Sequence, residues 1–70
     1  MIAATIVFND GRTRVQCIIR NLSDGGAKLE VRGSVAGIPQ TFDLMAPGYS
    51  THGCRVIWRA LKELGVAFTN

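Results

Sequence analysis

Apolar and polar residues alternate along most of this chain in short runs, with turn-forming residues breaking the alternation about every ten positions. Strand side chains point to opposite faces with period two, so each run predicts one strand with an inward and an outward face. Ala4, Ile6 and Phe8 share the inward face of a first strand. Asn9-Asp10-Gly11 then supplies the positive backbone angles of a tight hairpin turn. In the second strand Val15, Cys17 and Ile19 point inward, and Arg12, Arg14, Gln16, Ile18 and Arg20 point outward.

A polar turn from Asn21 to Gly26 leads to a third strand, in which Ala27, Leu29 and Val31 alternate with Lys28, Glu30 and Arg32. Gly33, Ser34, Gly37 and Pro39 mark a loop. A fourth strand follows with Phe42 and Leu44 inward, and Pro47-Gly48 ends it. The fifth places Cys54, Val56 and Trp58 on one face and Arg55, Ile57 and Arg59 on the other; the sixth turns Leu64, Val66 and Phe68 inward. Ala60 to Glu63 offers one helical turn, too short to be a stable helix. The expected fold is therefore all-β: a small six-stranded antiparallel barrel over residues 1–70 as a single domain, with no long C-terminal helix. Closure into a barrel removes the strand edges that promote aggregation. Its expected core is Ala4, Ile6, Val15, Ile19, Leu29, Val31, Phe42, Leu44, Val56, Trp58, Val66 and Phe68.

Composition narrows the class. Hydrophobic residues make up 47% of the chain and charged ones 19%, enough apolar material for one core and too little charge for a disordered chain. No apolar run approaches the roughly 20 residues of a bilayer crossing, and the opening MIAATIVF lacks the basic start of a secretion signal. The expectation is a cytoplasmic protein without membrane insertion. Cys17 and Cys54 each sit in strand-like runs, where a thiol behaves as a small buried hydrophobe. Eight Lys and Arg against five Asp and Glu give a net charge of +3, a mild bias toward anionic partners and too little for a dedicated DNA binder.

Catalysis finds little support. His52 is the only histidine, nothing resembles a nucleophile elbow, and the five acids are scattered over turns and outward faces. His52, Cys54 and Cys17 fall short of the four ligands usual in a structural zinc site. The reading is neither an enzyme nor a metalloprotein.

The most informative stretch is Asn21-Leu22-Ser23-Asp24-Gly25-Gly26. It offers an amide, a hydroxyl and two glycines that let a ligand approach closely, and it would serve equally as an Asx turn between strands. Asn21, Ser23 and Gly26 resemble the second signature of the PilZ family of bacterial cyclic di-GMP receptors: Asp or Asn, any residue, Ser, two of any kind, then Gly. The resemblance extends through Ile18-Ile19-Arg20, Ala27-Lys28-Leu29-Glu30, Pro39 to Leu44, Cys54 to Arg59 and Leu64 to Phe68, and so covers nearly the whole chain.

That resemblance implies a cyclic di-GMP-binding regulatory module with no further cofactor. Asn21 would bond a guanine edge, Ser23 would contact base or phosphate, and Gly26 would keep the turn clear of the ligand. Arg20 beside the motif is the nearest cation, and Arg59 joins it if strand five lies close. The family's first signature, two arginines separated by three residues, has no counterpart ahead of the first strand in these residues. Guanidinium groups bond bidentately to guanine and pair with phosphate, so its lack implies weakened binding. The alternative reading is a ligand-independent adaptor that binds a partner protein or a second copy of the chain, with Ile18 and Ile57 as the apolar centre of its contact surface.

Overall fold

The computed structural model describes residues 1–69 and contains six strands: β1 (Ile2–Phe8), β2 (Thr13–Leu22), β3 (Gly26–Val31), β4 (Thr41–Met45), β5 (His52–Arg59) and β6 (Glu63–Phe68). All neighbours pair antiparallel in the closed order β1-β2-β3-β6-β5-β4, so each strand edge is covered by another strand. The expected all-β barrel is what forms. Among the described residues no helix is long and apolar enough to cross a membrane.

The first hairpin shows how sequence sets the register. Asn9 and Asp10 both take φ of 55° and Gly11 takes 83°, and the Arg12 amide donates to the Asn9 carbonyl at 3.1 Å. Asn and Gly tolerate this left-handed region better than branched residues do. The turn places Phe8 opposite Thr13 and Ile6 opposite Val15, which brings the apolar faces of β1 and β2 to the same side.

Inward residues from all six strands meet along the barrel axis. Ile6, Leu29 and Leu64 are fully buried, and Leu29 and Leu64 stand directly opposite one another across the β3–β6 ladder. Truncating either to Ala would cost about 2–5 kcal/mol, by lost transfer energy and the cavity left behind. Ile38, from the loop between β3 and β4, joins this core at 3% exposure. Cys17 and Cys54 are buried free thiols.

Of the expected core, Ala4, Ile6, Ile19, Leu29, Val31, Phe42, Leu44, Val56 and Val66 are buried, and Val15 and Phe68 are partly so. Trp58 is not: it is 43% exposed. The cause is a β-bulge. Val56 pairs with Val66 but Trp58 pairs with Gly65, so Ile57 is an extra residue that shifts the alternation and turns Trp58 outward. A second bulge lies in β2, where Ile19 pairs with Leu29 and Asn21 with Lys28; Arg20 is the extra residue there. Strict alternation from inward Ile19 would have sent Asn21 inward. The bulge leaves it on the outer surface, opposite outward Lys28.

Candidate functional site

The two bulges act on one surface. Asn21 on β2 stands opposite Lys28 on β3, Lys28 opposite Gly65 on β6, and Gly65 opposite Trp58 on β5. These four residues form a continuous outward row across four strands. With neighbouring strands about 4.8 Å apart, the row runs roughly 14 Å from end to end. Asn21, Lys28, Gly65 and Trp58 all line one open groove of about 480 Å³, which also takes in the 21–26 turn and Ile57. That volume lies within the range of about 300–1,000 Å³ typical of small-molecule sites.

Glycine makes the floor. A β-carbon on Gly65 would overlap the Trp58 indole, so the ring lies over β6 and buries Gly65 beneath it while Trp58 itself stays exposed. In the next outward row Gly26 stands opposite Ala67 and Ala67 opposite Arg55, so two small residues separate the turn from an exposed cation. Gly26 itself has an architectural reason to be glycine: a β-carbon there would overlap the Val66 carbonyl oxygen. β3 and β6 approach too closely at that point for any side chain.

The 21–26 turn is tied together internally. The Ser23 amide donates to the Gly26 carbonyl at 2.9 Å and the Ser23 hydroxyl donates to the same oxygen at 3.3 Å. The Phe68 amide donates to the Gly25 carbonyl at 2.9 Å, which pins the turn to the end of β6. Phe68 in turn stacks on His52 with ring centroids 4.7 Å apart. Asn21 and Ser23 are both exposed and accessible to a ligand.

The cations expected beside the motif are placed differently. Arg20 occupies the β2 bulge, where its guanidinium lies 3.4 Å from Glu30 and donates to the Met1 thioether at 2.9 Å. β3 and β6 stand between β2 and β5, and Arg59 donates to the Val35 carbonyl at 3.0 Å on the side of the 32–40 loop. Neither arginine lines the groove. Lys28 does, and its ammonium lies 3.7 Å from the Glu63 carboxylate.

Sequence reasoning missed Lys28, Gly65 and Trp58 as a group. The signal for the two bulges was present as broken alternation: Ile18-Ile19 followed by Arg20-Asn21, and Val56-Ile57-Trp58 in succession. Ile18 and Ile57 do not meet. Ile18 is half-buried between Ala3 and Glu30, its outward row continues onto Glu63, and Ile57 projects from the β5 bulge at 65% exposure.

The interior carries no comparable chemistry. Burial pushes the Cys17 thiol up to about 11, and burial, then the charges of Asp43 and Cys17, push Cys54 up to about 12. Such thiols stay protonated and unreactive at neutral pH. Among the described residues no group of three or more His, Cys, Asp and Glu side chains comes together as a metal site would need.

Comparison with protein-family models, with curated proteins and with solved structures finds no match.

Proposed function

We propose that this chain is a PilZ-like regulatory module that binds cyclic di-GMP in the groove lined by Asn21, Lys28, Gly65 and Trp58. The observation that carries the reading is the cross-strand row itself: an amide, a cation and an indole laid over a glycine, in line on the outside of a closed barrel. Three of its side chains have a chemical counterpart in a guanine nucleotide. The exposed indole of Trp58 stacks a purine, an interaction worth about 1–3 kcal/mol per base. The Asn21 amide donates to the O6 or N7 acceptor on the guanine edge. The Lys28 ammonium pairs with phosphate as a compact point charge.

The reading is of a binding surface. The groove is open and presents an amide, a cation and an indole to whatever enters it. Lys28 supplies a single point charge, where a guanidinium would pair with phosphate bidentately. The adaptor reading loses its motivating patch with the separation of Ile18 from Ile57.

Trp58 is the only tryptophan of the chain, so its emission reports directly on this groove. Titration with cyclic di-GMP should quench or shift that emission in a saturable way. Emission unchanged up to millimolar cyclic di-GMP would overturn the reading.

A further inference from the structure

We propose that Gln40 is the positioning residue that aims Trp58 out of the barrel and into the groove. β4 and β5 pair as far as Thr41 opposite Arg55, and Gln40 and Val56 come next in that register. In a regular antiparallel pair, two such residues exchange both backbone bonds. Here only one is a backbone bond: the Val56 amide donates to the Gln40 carbonyl at 2.8 Å. The Val56 carbonyl instead accepts from the Gln40 side-chain amide, Nε2, at 2.6 Å. Both polar groups of the Val56 backbone are thus held from one side by one residue.

Val56 is the last residue of β5 in regular register with β6 before the bulge, and Trp58 is the first after it. Holding the Val56 carbonyl toward Gln40 sets the plane of the peptide that leads into Ile57. That plane decides whether the next residues continue the alternation or bulge. On the far side of Trp58, Arg59 donates to the Val35 carbonyl, in the same loop that carries Gln40. This loop is itself anchored, since Ile38 is buried in the core and its amide donates to the Val35 carbonyl at 3.2 Å. The residues flanking Ile57 and Trp58 are therefore both tied to one core-anchored loop. Gln40 acts on the groove through the β5 backbone and lies outside the groove lining.

The importance of this position for binding rests on the groove reading; the positioning itself does not. The test uses the full chain, with Gln40→Leu to remove the amide and Gln40→Glu to keep the shape while replacing the donor with a carboxylate. Far-UV circular dichroism and cooperative unfolding identify which variants are folded, and Gln40→Glu, closest in shape, carries the test if Gln40→Leu fails to fold. The readouts are the emission maximum of Trp58, its acrylamide quenching constant and the chemical shift of its indole N–H, all without ligand. The expected result is a changed Trp58 signature, including a quenching constant altered about twofold, in a folded barrel. An unchanged Trp58 signature in a folded variant overturns the positioning role, whatever the ligand titration shows. A changed signature with a fully retained response to cyclic di-GMP supports the positioning role and counts against the groove as the ligand site.

Discussion

Gly65 lies beneath the indole of Trp58, directly opposite it across the β5–β6 ladder, at a point where a β-carbon would overlap the ring. Gly65→Ala should therefore lift Trp58 off the sheet. The expected cost is about 1–3 kcal/mol, the usual range for adding a methyl where none fits. Denaturant unfolding measures that cost, and the same variant should show a Trp58 emission maximum different from wild type.

Gly26 and Ser23 belong to the same signature but should respond differently. Gly26→Ala forces a β-carbon against the Val66 carbonyl and should destabilise the barrel by about 1–3 kcal/mol. Ser23→Ala removes an exposed hydroxyl whose bond duplicates one already made by the Ser23 amide, so its stability should stay within about 0.5 kcal/mol of wild type. Paired unfolding curves check both. Loss of ligand binding in Gly26→Ala would then reflect the fold, whereas loss in Ser23→Ala would report a contact.

The Lys28–Glu63 pair makes a third prediction. Glu63 lies 3.7 Å from Lys28, the one cation among the described residues that lines the groove, and both side chains are more than a third exposed. An exposed pair of this kind is worth at most about 1 kcal/mol. Glu63→Gln should accordingly strengthen binding of cyclic di-GMP by about two- to fivefold, because the ligand phosphate no longer competes with a carboxylate. Lys28→Gln should weaken binding and flatten its dependence on salt. Titrations at two salt concentrations separate these effects.

The buried thiols predict how stability changes with pH. Burial raises the folded-state pKa of Cys17 to about 11 and of Cys54 to about 12, against an ordinary value of 9.0. A group whose folded pKa is raised contributes stability that is fully present below the unfolded value. The contribution is lost as pH rises through that value toward the folded one. The denaturation midpoint should thus fall between pH 9 and pH 12, and the fall should be shallower in Cys54→Ala than in wild type. A series of denaturant titrations across that range is the check.

Period-two alternation was enough to read the six strands, the Asn9-Asp10-Gly11 hairpin and most of the core, because one face of each strand is buried and a slip of one residue would reverse it. The candidate site was only half legible. Asn21 and Ser23 lie in a turn whose residue types announce it. Alternation predicts Trp58 as core, because inward Val56 should be followed two residues later by another inward side chain. A bulge is a local failure of that rule, and it depends on pairing partners far away in sequence: Gly65 leaves room for the ring, and Gln40 holds the Val56 carbonyl. Arg20 is the nearest cation in sequence and Arg59 joins it only if strand five lies close, but the fold pairs Arg20 with Glu30 and Arg59 with the Val35 carbonyl. Lys28 faces outward by the alternation of its own strand, and what the β2 bulge adds is Asn21 opposite it on that face.

The central claim is that one ligand spans the row from Asn21 to Trp58. Calorimetric titration of cyclic di-GMP into wild type, Asn21→Ala and Trp58→Ala at low salt tests it most directly, since these residues sit at opposite ends of the row and neither supports the core. The account predicts a saturable heat for wild type and a loss of roughly tenfold or more in affinity for each variant, in line with about 1–3 kcal/mol for a stacked base. Absence of heat in wild type, or wild-type affinity in both variants, would contradict it.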